Sequence, residues 1–194
     1  MRNGLRKRFS FLMVSGLALG SLLLVGCVME APVVSERKVS SNSSLDELQT
    51  WVVDEVDAVM EATGVSSEWL ALGWDEEARW IGDREWIFEA TERPQCTFNA
   101  GEANPASVEV ILATGPLKQD PFVLLEQVRE MWIADGWEVH NLYEPEQIQV
   151  KMLDIVARRS DGSMMMLGAS DVESAKELFL TVNSVCSNHS TVAW

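Results

Sequence analysis

QIQVKMLDIVAR at residues 147–158 and SMMMLGA at residues 163–169 flank the pair Asp161-Gly162 in a chain of 194 residues. Two runs rich in Val, Ile, Leu and Met on either side of Asp-Gly predict a β-hairpin, because glycine accepts the positive φ that a tight hairpin turn demands. Working outward, residues 137–143 (WEVHNLY) predict the strand before the hairpin, and residues 177–185 (ELFLTVNSV) a last strand running into Cys186. Residues 107–113 (SVEVILA) predict a further strand, with Val108, Val110 and Leu112 on one face. Residues 85–91 (EWIFEAT) alternate well enough to predict another.

Two helices complete the pattern. Ser44-Leu45-Asp46-Glu47 has the form of a capping box, with Ser receiving the third backbone amide and Glu reaching back to the cap. After it, Leu45, Leu48, Val52, Val56, Val59 and Met60 recur at steps of three and four, which predicts a helix over 45–62 that stops at Gly64. Asp120-Pro121 opens the second helix, with Asp as cap and Pro at the first helical position. Its buried stripe is Leu125, Val128 and Trp132, and Gly136 ends it. The expected fold is α+β: an antiparallel sheet of about five to six strands with two helices packed on one face.

The N-terminus has a different character. Arg2, Arg6, Lys7 and Arg8 precede a mostly apolar run from Phe9 to Val25, and no acidic residue occurs before Glu30. A basic head before such a run reads as a secretory signal peptide. The run ends in Leu24-Val25-Gly26-Cys27, which resembles the bacterial lipobox. That resemblance implies cleavage after Gly26 and acylation of Cys27 by a diacylglycerol with palmitate-type chains. At ~0.8 kcal/mol per buried methylene, two or three such chains hold a protein firmly in a membrane. The expected address is the extracytoplasmic face of the cell membrane. Residues 28–44 (VMEAPVVSERKVSSNSS) follow as a Ser-rich tether on the order of 20–25 Å long, and residues 45–194 as a single domain.

Removing residues 1–26 takes four of the 15 basic residues and none of the 30 acidic ones, so 11 remain against 30 and the formal charge is −19. Such a field repels nucleic acid and favours cations or basic proteins as partners. The same charge also serves simply to keep a surface solvated.

Cys96 and Cys186 are the two cysteines left after Cys27. Outside the cytosol an even pair is most simply a disulfide, with two separate core thiols as the alternative. No CxxC and no Cys/His zinc spacing is present. Strands and helices in this order, with Trp132-Ile133-Ala134-Asp135-Gly136-Trp137, Ser160-Asp161-Gly162-Ser163 and Asn183-Ser184-Val185-Cys186, resemble a diffuse group of small lipoproteins from actinobacteria. The resemblance spans roughly residues 45–190. It rests on packing and turn features, and it transfers no functional residue.

Motifs for chemistry are sparse. HExxH, GxSxG, GxGxxG, phosphate-loop and DxDxDG patterns are all missing, so no cofactor or metal is implied. His140 and His189 are the two histidines; imidazole can serve as a general base, but neither lies in a catalytic or metal-binding spacing, and His140 reads as a structural or surface residue. Met164, Met165 and Met166, with Met152 opposite, contain thioethers suited to Cu(I), but strand alternation lets only two of the three share a site, and core packing is the favoured reading. Four of the eight Trp fall within residues 69–86. Exposed indoles anchor ligands and protein interfaces, whereas buried ones cap a core. Trp69 and Trp74, with the acidic patch Asp75, Glu76 and Glu77, are the candidate binding residues, while Trp80 and Trp86 read as core. The sequence favours a non-enzymatic protein- or ligand-binding lipoprotein. The alternatives are a wall-acting enzyme with paired carboxylates, and a structural or assembly lipoprotein.

Overall fold

The expected hairpin is present in a computed structural model of the chain, which describes residues 39–73, 77–96, 104–143, 151–172 and 175–193. Strands β4 (Met152–Arg158) and β5 (Met164–Val172) pair antiparallel, with Ile155 opposite Leu167 and Val156 opposite Met166. Gly162 takes the left-handed conformation at φ 96°. The Asp161 carboxylate fixes the turn by accepting from the backbone N and the hydroxyl of Ser163 at 2.8 and 2.6 Å. The last strand, β6 (Ala175–Asn183), runs beside β5 and takes β2 (Glu109–Thr114) on its other side. Short strands close the edges: β3 (Glu138–Asn141) on β4 and β1 (Trp69–Ala71) on β2. Among the described residues the sheet has six strands in the order β1-β2-β6-β5-β4-β3, every pair antiparallel.

Side chains alternate across such a sheet. Leu112, Leu167, Leu180 and Ile155 from four neighbouring strands are fully buried in one core. Two helices cover this face. α1 (Leu45–Thr63) starts from the expected capping box, in which Ser44 Oγ accepts from Glu47 N and Glu47 Oε2 accepts from Ser44 N at 2.7 Å. Those bonds hold the Glu47 carboxyl below its ordinary range. α1 presents Leu48, Val52, Val56 and Val59, all fully buried. α3 (Pro121–Ala134) starts at the Asp120 cap and buries Leu125, Val128 and Trp132 completely. Each such side chain contributes ~1.5–3 kcal/mol by leaving water. Among the described residues no helix is long and apolar enough to cross a membrane.

Three expectations are corrected. Residues 85–91 are not a strand: they belong to a third helix, α2 (Trp80–Ala90), which kinks at Gly82 with φ 115°. Ile87 and Phe88 are sequence neighbours and both pack on the core, which strand alternation forbids and helical spacing with Trp80 allows. The edge strand that the pattern required is β1 instead, only three residues long. The tether also ends earlier than residue 44. Val39 is 7 % exposed, and the chain from Ser40 to Ser44 is bonded to the tail, with Ser187 Oγ donating to Ser43 O and Asn188 N to Ser41 O. Finally, Met152 lies opposite Ser170, so it does not face Met164 or Met166.

The disulfide is formed. Cys96 and Cys186 are joined with Cα atoms 6.1 Å apart across 90 residues of sequence. It ties the connection between α2 and β2 to the chain just beyond β6. Around it, Cys96 N donates to Pro105 O, Ser107 N to Pro94 O, and Ala106 and Ser187 exchange both backbone bonds. Replacing both cysteines by alanine is expected to lower unfolding stability by ~2–5 kcal/mol, read as a reduced urea midpoint with an unchanged far-ultraviolet spectrum at zero denaturant.

Candidate functional site

α2 carries Glu85, Phe88 and Glu89 on one side, spaced by three and four residues, and Glu92 continues that line just past its end. Opposite this side lie Leu45 and Gln49 from the first turns of α1, and Val108 and Glu109 at the start of β2. Together they bound an open groove of about 550 Å³. Leu45, Phe88 and Val108 belong to the core packing as well as to the groove lining, so the apolar part is fixed from beneath. Phe88 meets Trp80 edge-to-face at 5.8 Å. Trp80 is itself held by an indole N–H bond to Asp57 Oδ1 at 3.0 Å, and Arg84 reaches the same carboxylate at 2.6 Å.

The charge of the groove is one-sided. Among the described residues Glu85, Glu89, Glu92 and Glu109 line it with one cation, Arg93. The Arg93 guanidinium is held at the edge by the carbonyls of Thr191 and Val192, at 2.7 and 3.4 Å. Glu109 accepts from Asn183 Nδ2 at 3.1 Å. Among the described residues Glu85, Glu89 and Glu92 form no ion pair and no side-chain hydrogen bond, so three carboxylate charges point outward unneutralised.

A second cavity of about 390 Å³ lies beside the disulfide, between the β4–β5 turn and the end of β6. Arg158, Arg159, Ser163 and Asn183 contribute to it. Among the described residues its lining carries two cations, Arg158 and Arg159, and no carboxylate, and Arg159 is already engaged. Arg159 Nη1 donates to Glu55 Oε1 at 3.2 Å, and its guanidinium lies 4.0 Å from the Trp137 ring centroid. Trp137 in turn packs on Trp51 at 6.4 Å. Burial pushes the Glu55 carboxyl up to about 7, outweighing the opposing pull of Arg159, and Asp135 adds to the rise. This junction ties the hairpin turn to α1 and to the end of α3, and Glu55 lines neither cavity.

Of the expected binding residues, Trp69 and Glu77 are among those described. Trp69 is 1 % exposed, with its indole N–H donating to Val65 O at 2.8 Å. It is a core residue, which corrects its reading as a binding residue. Trp74, Asp75 and Glu76 lie outside the described residues, as does Cys27, and Glu77 is exposed. Trp80 is fully buried as expected, but Trp86 is 39 % exposed on α2, contrary to its reading as core. His140 is exposed beside Glu138 at 3.0 Å, and His189 Nδ1 bonds Thr191 Oγ1 at 2.9 Å. Met165 is fully buried, with Met164 and Met166 half-buried on the opposite sheet face. Among the described residues no three His, Cys, Asp or Glu side chains are grouped to hold a metal ion.

The groove carboxylates were missed because residues 85–91 were read with period two. Read with the helical period, Glu85, Glu89 and Glu92 fall on one line with Phe88.

Trp69→Ala is expected to cost ~3–5 kcal/mol of stability in a denaturant titration, as a core deletion does. Glu55 has a further signature in the pH dependence of stability. Its folded pKa, about 7, lies above the unfolded value of 4.5, so the folded state binds its proton more tightly and stability falls as pH rises from about 4.5 to about 7. Asp154, also raised by burial, slopes the same way. The Glu55→Gln variant is expected to show a flatter fall across this window, measured by urea unfolding at several pH values. Compared with protein-family models, with curated protein sequences and with solved structures, the chain gave no match.

Proposed function

We propose that the chain is a lipid-anchored protein of the extracytoplasmic face of the membrane, whose domain is a non-enzymatic binding module for a cationic protein or small ligand. The observation that carries the address is the Cys96–Cys186 bond. A structural disulfide closing 90 residues belongs to an oxidising compartment, where thiols are not kept reduced. It agrees with the basic head, the apolar run and the Leu24-Val25-Gly26-Cys27 phrase, which resembles a lipobox.

The packing of Val39–Ser44 on the domain leaves residues 28–38 as the linker in this reading. Read as the tether, eleven residues would reach on the order of 20 Å, which would keep the domain close to the lipid surface. A binding role is supported by the open groove and by the charge of −19 that follows removal of residues 1–26. The resemblance to small actinobacterial lipoproteins is compatible with this reading and supplies no activity.

Expression of the full chain in a bacterial host is expected to give a processed form in the detergent-soluble membrane fraction. The peptide beginning at Cys27 should carry the mass of a diacylglycerol. Cys27→Ser should abolish that mass and leave the chain as unprocessed precursor or released protein. If the Cys27→Ser protein is cut at the same place and stays on the membrane as the parent does, the anchor assignment fails.

A further inference from the structure

We infer that the groove between α1, α2 and β2 takes a basic amphipathic peptide segment of a partner protein, with lysine or arginine side chains along the α2 carboxylates and apolar side chains against Leu45, Phe88 and Val108. This deepens the binding reading and names the chemistry of its partner.

Three features select the occupant. The first is charge complementarity: Glu85, Glu89 and Glu92 carry no ion pair among the described residues. The second is spacing. Glu85 and Glu89 are one helical turn apart, about 6 Å along the axis. A row at that interval suits successive side-chain cations, because residues three or four apart on a second helix repeat at the same pitch. A single metal ion would instead need donors converging on one point, and among the described residues no three such side chains converge. The third is the apolar part of the lining. Leu45, Phe88 and Val108 are anchored in the core and also face a groove of about 550 Å³. A simple polycation gains nothing from them, whereas an amphipathic segment buries its apolar stripe there.

The carboxylates act across solvent, so the attraction weakens with salt. The apolar contact does not follow salt in this way.

The test uses the processed full-length protein in detergent micelles and two synthetic peptides of equal charge. One carries lysines at positions i, i+4 and i+7 with leucines on the adjoining stripe, and the other replaces those leucines by serines. Calorimetry at low salt is expected to show tighter binding of the leucine peptide. Glu85→Gln, Glu89→Gln and Glu92→Gln combined should weaken it about tenfold, since each exposed pair contributes little and three act together. A control carrying Glu61→Gln, Glu68→Gln and Glu130→Gln makes the same change in net charge at exposed positions outside the groove, and should bind as the parent does. Equal binding of the two peptides, or equal loss in the two triple variants, would show only a response to the overall acidic field and would overturn the inference. So would a leucine peptide that does not bind. None of these results touches membrane attachment, which the Cys27→Ser fractionation tests separately.

Discussion

The middle of the sheet is supplied by the end of the chain. β6 pairs with β2 on one side and β5 on the other, so the sheet is two separate pieces until the last strand is in place. Leu178, Leu180 and Val182 of that strand are all fully buried under α1 and α3. The bond from Cys186 to Cys96 is then placed immediately beyond β6, where it retains the central strand. Contacts of this kind join residues far apart in sequence, and the entropy of closing such loops precedes the gain from pairing. A covalent link across 90 residues reduces what the unfolded chain can explore and so favours the closed sheet.

Much of this was legible from local rules that agree with one another. The Ser44 capping box, the Asp120-Pro121 helix start and the Asp161-Gly162 turn each name a backbone geometry that few other sequences adopt, and each is found where expected. The buried alternation of Val108, Val110 and Leu112 likewise identified β2 and the face it buries. Residues 85–91 failed for a physical reason. A seven-residue apolar window fits periods of two and of 3.6 about equally, and only the contact of Trp80 with Asp57 and Phe88 decides between them. β1 was invisible because three residues are too short to show a period, and its place is set by pairing with Leu112–Thr114.

The groove was illegible for a related reason. It is made by three elements that are distant in sequence, and the short window of α2 shows period two as readily as the helical one. Trp69 shows the converse: a tryptophan among acidic residues suggests a surface, yet burial is a property of what surrounds a residue in space. The same holds for Glu55, whose sequence neighbours Asp54 and Val56 give no hint of Arg159 or Trp137. Charge, by contrast, was readable directly, because most acidic side chains must remain at the surface wherever the chain folds.

The chain enters and leaves its domain at one pole. Val39–Ser44 is laced to Ser187 and Asn188, and these follow directly on Cys186, which is bonded to Cys96. Separating residues 39–44 from the tail therefore requires breaking these hydrogen bonds, while the Cys96–Cys186 bridge keeps the tail in place beside them.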